Sequence, residues 1–490
     1  MSRDISQVLK CFNVQCCGIV VAHLRLDSRQ VNEGDAFVAL RGHQQNGEDY
    51  ILSALERGAV CVLIDESSEV EVDVDETLLV RVPNLNAHIA KIAAQFYQYP
   101  STQMCTVGVT GTNGKSTTTT MIANLAKQCE HPSAIIGTLG YGQPESLTPL
   151  ANTTPSNIDL QRILAQLAQV NKLVAMEVSS HGLVQGRLNE TTFDVAVFTN
   201  LSRDHLDYHT DMASYAEAKL SLFQHHQPKF SVLNADDEYT QQWLNKYSFN
   251  NLVVYGKKPQ SHAFKNFVWF DDVKCDALGF EATISSSWGK GKLRAPLYGL
   301  FNIYNLTAAV ATLLTQGFAL DKLLAAAERL QPVAGRMQAF RVANKPTCIV
   351  DYAHTPEALE LALQALQQHV PGNVMCVFGC GGDRDKGKRP LMAQAVERNA
   401  DQLVITSDNP RSEDPKQIID DVKAGLSNPQ YAVCKIDRAE AIRYAIEHTP
   451  KDGVVLVAGK GHEDYQIIGD QRLPFCDRRY VEAVLREKSA

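Results

Sequence analysis

Gly108-Val109-Thr110-Gly111-Thr112-Asn113-Gly114-Lys115-Ser116-Thr117 is the stretch on which the reading of this chain turns. It continues the apolar run Met104-Cys105-Thr106-Val107, which has the length and composition of a buried strand. A strand, a glycine-rich turn and a Lys-Ser pair opening a helix form the layout that cradles a polyphosphate. Glycines admit backbone N–H groups to the phosphate oxygens, and the helix N-terminus adds partial positive charge. Lys115 is placed to reach the β- and γ-phosphates of ATP, and the Ser116 hydroxyl suits a Mg²⁺ ligand. Gly111, Thr112, Asn113, Gly114 and Thr117 complete the loop. The strict phosphate-loop pattern has glycine six residues before the lysine, where this chain has Val109. An ordinary tight strand–helix turn is the alternative, and the loop alone does not say what the nucleotide is for.

Outward from this loop the chain keeps an α/β rhythm. Strands are expected at Leu173 to Val178, Phe193 to Thr199 and Phe230 to Leu233, with helical stretches between most of them, the signature of a largely parallel sheet covered on both faces. Before the loop, Ala59-Val60-Cys61-Val62-Leu63-Ile64 reads as a strand and Asn86 to Tyr97 as a helix; Tyr99-Pro100-Ser101-Thr102 then interrupts the pattern. A helix-rich stretch from Asn302 to Leu330 ends at Gln331-Pro332 and Gly335-Arg336, and strands follow at Thr347 to Val350, Val374 to Phe378, Gln402 to Thr406 and Val454 to Val457. The expected fold is α/β in three domains: a small N-terminal α/β domain over 1–100, a central P-loop ATPase domain with a mostly parallel sheet over 101–331, and a C-terminal Rossmann-like domain over 332–490.

A length of 490 residues agrees with that division, and 44% hydrophobic with 21% charged residues is a globular composition. The net charge of -8 argues against a nucleic-acid binder. Met1-Ser2-Arg3-Asp4 is followed by mixed polar and apolar residues without the apolar core expected of a signal peptide, and no apolar run is long enough to span a bilayer. The twelve cysteines are scattered without CxxC spacing and read as reduced, mostly buried thiols. A cytoplasmic protein is expected, without nucleic acid or membrane insertion, and as a monomer.

Further motifs stand along the chain: Glu177-Val178-Ser179-Ser180-His181, Asn200-Leu201-Ser202-Arg203-Asp204-His205-Leu206-Asp207-Tyr208-His209, Asn234-Ala235-Asp236-Asp237, Asn302-Ile303-Tyr304-Asn305, Gly335-Arg336-Met337 and Asp351-Tyr352-Ala353-His354-Thr355-Pro356. With Gly-Thr-Asn-Gly-Lys-Ser, their order and spacing resemble the Mur ligases, a family whose phosphate loop is shared with folylpolyglutamate synthetases; the resemblance spans all three expected domains. It implies an ATP- and Mg²⁺-dependent acid–amino-acid ligase of peptidoglycan precursor synthesis, and so of cell-wall formation, cell shape and division. Within the family the form Asp408-Asn409-Pro410-Arg411 belongs to the members that add meso-diaminopimelate to UDP-N-acetylmuramoyl-L-alanyl-D-glutamate.

The resemblance makes Lys115, Lys219 and His205 the catalytic residues, and Ser116, Glu177, His205 and Lys219 the metal ligands. Lys219 would be carbamylated, which turns a cation that repels Mg²⁺ into an anion that attracts it. Taken alone, Glu177 reads as a strand-end glutamate, the Asp204–His209 cluster as a helix cap, and Lys219 as an exposed helix lysine. Asn302, Asn305, Arg336 and Asp351 are implied in ATP binding; a hinge salt bridge is the alternative for Arg336. Asn302 and Asn305 are expected to flank a helix start, and Thr355-Pro356 reads as a cap followed by proline in the first turn.

For the sugar-peptide, the candidates are Leu26 and Ser28 in Leu26-Asp27-Ser28-Arg29, and His43, Gln44 and Gln45 in Arg41-Gly42-His43-Gln44-Gln45-Asn46-Gly47. Asn152, Thr153 and Thr154, expected before a helix starting at Pro155, join them, with Ser179, Gln185 and Arg187. For diaminopimelate they are Arg384, Asp408, Asn409, Pro410, Arg411, Gly459 and Glu463. A guanidinium grips a carboxylate bidentately, so Arg411 can separate diaminopimelate from lysine, which lacks the second carboxylate; a plain turn is the alternative for this segment. The implied reaction passes through an acyl phosphate, with domain closure gating turnover. A lysine-adding sister ligase and a folylpolyglutamate synthetase-like ligase are the neighbouring readings, and a non-ligating P-loop ATPase or switch is the reading of another class.

Overall fold

The computed structural model describes residues 2–16, 18–41, 46–70, 74–206, 208–261 and 263–487. The chain forms two compact units, one of Met1–Tyr255, Ala263–Phe267 and Ala308–Gly317, the other of Gly256–His262, Val268–Thr307 and Phe318–Ala490.

The first unit opens on a four-stranded parallel sheet, Leu24–Arg25, Ala36–Val38, Cys61–Asp65 and Leu79–Val82 in that order. The apolar run expected at Ala59 to Ile64 is its third strand, continuous in hydrophobicity because both faces are covered. Cys61 and Leu63 point into one core with Leu85, Ile89 and Phe96 of the helix Leu85–Phe96. Val62 and Ile64 point into another with Ile51 and Ala54. Ile158, from the helix Asn157–Leu167, completes the first of these cores and so ties this sheet to the next segment of the chain.

Cys105–Thr110 runs through the middle of the larger sheet, hydrogen-bonded in parallel to Leu173–Glu177 on one side and Val195–Phe198 on the other. Ser133–Gly137 lies beyond the first neighbour, Phe230–Asn234 and then Val253–Lys257 beyond the second, all parallel. The carboxyl ends of the three central strands therefore share one edge, the ligand crevice of an open parallel sheet.

In the second unit, an antiparallel meander occupies Phe267–Asp276, Gly279–Ser286 and Gly289–Ala295, a region for which no strands were expected. A six-stranded sheet follows in the order Gln338–Phe340, Thr347–Asp351, Val454–Ala458, Val374–Phe378, Gln402–Thr406 and Val433–Lys435, parallel apart from its first strand. Alternate residues of its inner strands feed two cores: Cys376, Phe378 and Leu456 on one face, Met375, Val377 and Val455 on the other. Thr355 caps the helix Pro356–His369 by accepting the Ala358 N–H, as its sequence suggests.

Three expectations need correcting. The helix expected at Pro155 begins at Asn157 with Ser156 as its cap, so Asn152, Thr153 and Thr154 lie in the preceding segment rather than at a helix N-terminus. Asn302 and Asn305 do not flank a helix start: they are buried within the first turns of Leu300–Thr315, where Asn302 donates to the Tyr298 carbonyl and Asn305 to the Asn302 side chain. Among the described residues the cysteines are free thiols as expected, but Cys11 and Cys434 are exposed.

Candidate active site

The phosphate loop is held by the neighbouring strand end. Thr199 Oγ1 donates to the Asn113 carbonyl at 2.7 Å, and Asn200 both donates to that carbonyl and accepts the Asn113 N–H, at 3.1 and 3.0 Å. Gly111 is required here, because its φ is 151° and a Cβ would lie 1.9 Å from Thr199 Oγ1. Lys115, first residue of the helix Lys115–Gln128, curls its Nζ onto the Gly111 and Thr112 carbonyls at 2.9 and 2.8 Å. Ser116, Thr117 and the following threonines are buried, and Thr120 returns its hydroxyl proton to the Ser116 carbonyl.

Lys219 meets this loop from the helix Met212–Gln224. It is 1% exposed, donates to the same Gly111 carbonyl at 2.9 Å, and lies 4.3 Å above the Tyr215 ring. Burial, with Lys115 close by, pulls its pKa well below that of an ordinary lysine, and Asp204 opposes the shift. Tyr215 in turn shares a hydrogen bond with Thr112 Oγ1 at 3.2 Å. His205 has a left-handed backbone, φ 55°, and its ring stands edge-on to His181 with centroids 5.1 Å apart. Its backbone N–H donates to Asp204, and the helix Met212–Gln224 takes its cap from Asp211, not from the Asp204–His209 cluster.

Glu177 is the last residue of the strand Leu173–Glu177. It is 2% exposed and accepts the Thr138 N–H at 2.8 Å. Its backbone carbonyl accepts from Thr154 Oγ1 at 3.0 Å, which itself accepts the Ser179 N–H. Arg187 donates to the Thr154 carbonyl at 2.8 Å and to Gln185 at 2.9 Å, and Gln185 reaches Tyr208. Thr153, Thr154, Ser179, Gln185 and Arg187 thus form one hydrogen-bonded group, with Thr153 joined through Thr138. Ser28 is buried in a short turn capped by Asp27, and Leu26 packs on the N-terminal core. His43, Gln44 and Gln45 lie outside the described residues. Among the described residues no three or more His, Cys, Asp or Glu side chains are grouped to hold a metal ion.

In the second unit, Asp408, Asn409, Pro410 and Arg411 follow the strand Gln402–Thr406. Arg411 has φ 52°, and its guanidinium donates to the Gly382 carbonyl at 2.7 Å. Asn409 donates to Glu463 at 3.0 Å, and Gly459 packs against Asp408. Arg384 is exposed on the neighbouring turn and donates to the Asp383 carbonyl. Two residues that sequence reasoning passed over complete this region. Lys460, fully buried, bonds both Asn409 and Glu463, and Arg438, also fully buried, donates to the Ser407 and Ala458 carbonyls. A lysine flanked by two glycines, Gly459-Lys460-Gly461, was the available signal for the first; Arg438 carried none.

Arg336 lies over the Tyr352 ring at 4.6 Å, and Tyr352 packs on His462 with centroids 5.0 Å apart. Asp351 accepts the Met337 and Ala353 N–H groups, and burial raises its pKa against the pull of Arg336. Burial, then Arg336 and Arg478, push His462 from 6.5 down to about 4. The unfolded imidazole therefore takes up a proton below about pH 6.5 that the folded one refuses until about pH 4. Stability falls across that window as the pH drops, by at most about 3 kcal/mol. His462→Gln is expected to flatten this slope in denaturant unfolding measured at pH 7, 5.5 and 4.5.

Residues 20–97 match the family described as Mur ligase family, catalytic domain; residues 109–313 match the Mur ligase middle domain, and residues 335–461 the Mur ligase, glutamate ligase domain. The chain belongs to the Mur ligase family. It is 44% identical over 472 residues, 95% of each chain, to the UDP-N-acetylmuramoyl-L-alanyl-D-glutamate–2,6-diaminopimelate ligase of Vibrio vulnificus (strain YJ016). It is 45% identical over 472 residues, again 95% of each chain, to the protein of the same name from Vibrio parahaemolyticus serotype O3:K6 (strain RIMD 2210633). A solved structure of a UDP-N-acetylmuramoyl-L-alanyl-D-glutamate–2,6-diaminopimelate ligase, 35% identical, matches with a TM-score of 0.70 over 99% of both chains.

Proposed function

We propose that this chain is an ATP-dependent ligase that joins meso-diaminopimelate to the D-glutamate of UDP-N-acetylmuramoyl-L-alanyl-D-glutamate. The observation that carries the reading is the end-to-end match, 44% identity over 95% of both chains, to a ligase of that name. Local geometry supports it for ATP and the amino acid: a lysine-bearing phosphate loop at one sheet edge, and a strand-end loop that carries Arg411 and whose Asn409 bonds Glu463. The domain limits proposed are 1–100, 101–331 and 332–490, in keeping with the three family matches. A cytoplasmic monomer is proposed as well; the free thiols of the described cysteines suit a reducing compartment.

A carboxylate is a poor acyl donor because its leaving group is oxide. In the proposed first step the D-glutamate side-chain carboxylate oxygen bonds to the γ-phosphorus of ATP as the bond to the β-bridging oxygen breaks, releasing ADP. In the second step a diaminopimelate amine attacks the acyl phosphate carbon, phosphate leaves with the bonding electrons, and the amine loses a proton. Gly111 to Thr117 bind the nucleotide phosphates, with Lys115 countering the charge that builds on the transferred group. Asn302, Asn305, Arg336 and Asp351 are proposed nucleotide contacts. Leu26, Ser28, His43, Gln44, Gln45, Asn152, Thr153, Thr154, Ser179, Gln185 and Arg187 are assigned to the sugar-peptide. Arg384, Asp408, Asn409, Pro410, Arg411, Gly459 and Glu463 are assigned to diaminopimelate.

Ser116 and Glu177 are oxygen donors of the kind a hard divalent cation prefers, and the buried Lys219 would fit beside Mg²⁺ as a carbamate but not as an ammonium. His205 is the fourth proposed ligand. Bound there, Mg²⁺ would neutralise phosphate charge during transfer. Burial and the nearby Lys115 lower the pKa of Lys219 and so favour the neutral amine, the form that adds to CO₂, forming a C–N bond and releasing a proton.

With ATP and sugar-peptide but no amine acceptor, hydroxylamine should capture the acyl phosphate as a hydroxamate, one per ADP formed. ADP formation without hydroxamate would contradict the mechanism. Arg411→Ala should cost about 1.5–3 kcal/mol of diaminopimelate binding, roughly a 10- to 100-fold rise in KM. Affinity for L-lysine should not change, since lysine offers no second carboxylate; initial rates with each amine check both.

A further inference from the structure

Lys460 belongs to none of the ligand-contact groups above, yet its surroundings are unusually specific for a lysine. It is fully buried, and its Nζ donates to Asn409 Oδ1 at 3.0 Å and to Glu463 Oε2 at 3.1 Å, with Asp408 Oδ1 at 4.0 Å. Asn409 closes the triangle by donating from Nδ2 to the same Glu463 oxygen at 3.0 Å. Its Oδ1 also accepts the Ile467 N–H at 3.0 Å. The amide of Asn409 is thereby oriented at both ends: oxygen toward the cation and a backbone donor, nitrogen toward the carboxylate. Glu463 has one oxygen occupied by two donors.

The backbone is built to put the ammonium there. Gly459 has φ 113°, and a Cβ on it would lie 2.5 Å from Asp408 Oδ2, so only glycine lets this turn approach Asp408. The Glu463 N–H donates to the Lys460 carbonyl at 2.9 Å, closing the turn that brings both side chains to Asn409. Burying a lysine is costly unless it is paired and hydrogen-bonded, and this one has two hydrogen bonds and two carboxylates around it. Two carboxylates and one lysine leave a single net negative charge, which suits one incoming ammonium. The other buried cation near Asp408 and Glu463 is Arg438, whose charge is already matched by Asp477.

We propose that Lys460 is the positioning residue of the amino-acid pocket: it holds Asn409 and Glu463 in place and cancels one of two carboxylate charges, so that the pocket takes the ammonium of an amino-acid zwitterion. This rests on the assignment of Asn409 and Glu463 to the diaminopimelate site. Lys460 acts through those residues, without touching substrate.

Lys460→Met and Lys460→Gln in the full-length enzyme, with Glu463→Gln beside them, test it by steady-state kinetics with each substrate varied in turn. Expected for both Lys460 variants is a rise in KM for diaminopimelate of at least 20-fold, with KM for ATP and for the sugar-peptide within threefold. A structural role alone would lower the amount of active enzyme without separating the three KM values. If Lys460→Met does not fold, Lys460→Gln, which keeps a donor for Asn409, carries the test. A large effect of Glu463→Gln with both Lys460 variants within threefold of wild type overturns the proposal and leaves the pocket standing. No effect of any of the three variants removes the pocket assignment, and the proposal with it.

Discussion

Replacing Lys219 with methionine should lower kcat by about 10²- to 10³-fold while leaving the thermal midpoint unchanged or slightly higher. The two halves of that expectation have separate causes. Methionine is nearly isosteric with the lysine stem and apolar, so it suits a site that is 1% exposed, and it removes an amine that burial and the nearby Lys115 already disfavour in its charged form. The Gly111 carbonyl keeps its bond from Lys115 when Lys219 is gone. What is lost is the nitrogen that carries the proposed carbamate, and with it an anion beside the phosphate loop. A structural lysine would behave in the opposite way, its loss lowering stability and sparing turnover. Wild-type activity should also fall when CO₂ is stripped from the buffer and recover on adding bicarbonate, with the methionine variant indifferent to both. Turnover of Lys219→Met within threefold of wild type would exclude the carbamate.

Arg438→Met should destabilise the second unit by about 3–5 kcal/mol, because it strands a buried carboxylate. Arg438 and Asp477 are both fully buried and joined twice, Nε to Oδ1 at 2.8 Å and Nη2 to Oδ2 at 2.7 Å. The same guanidinium donates to the Ser407 carbonyl at 3.2 Å and the Ala458 carbonyl at 2.9 Å, the residues just before Asp408 and Gly459. One side chain thus fixes the helix that starts at Asp477 and the two strand ends from which the amino-acid loops depart. Truncation should therefore also raise KM for diaminopimelate. Arg438→Met with Asp477→Leu should recover much of the lost stability, since no unpaired charge remains, without recovering the KM. Denaturant unfolding of the single and double variants checks this; a single variant within 1 kcal/mol of wild type contradicts it.

The phosphate loop was legible from its residues because backbone chemistry dictates it: a buried strand, glycines where Thr199 crowds the turn, and a lysine opening a helix. The inner strands were legible for a similar reason, since burial on both faces makes Val374–Phe378 and Val454–Ala458 continuous apolar runs and leaves Cys105–Thr110 without a charged residue. The meander over Phe267–Ala295 was not, because Asp271, Asp272 and Lys274 interrupt its first strand and the alternation of Phe280, Ala282 and Ile284 is short. Side-chain surroundings were least legible. Glu177 ends a strand as expected but turns onto Thr138, a partner distant in sequence, while Asn302 and Asn305 turn into their own helix onto Tyr298 and Asn302, local bonds that the strand-and-turn pattern does not announce. Lys460 is the clearest case: its two flanking glycines set it apart, but what buries it is Asn409, some fifty residues earlier in the chain.

The most direct test of the central claim is phosphate release with ATP, Mg²⁺ and UDP-N-acetylmuramoyl-L-alanyl-D-glutamate, with meso-diaminopimelate or L-lysine supplied in parallel. Release that requires the sugar-peptide and strongly favours diaminopimelate is the predicted result. Release indifferent to sugar-peptide and amine alike would contradict it, and would leave a phosphate loop that hydrolyses ATP without making a bond.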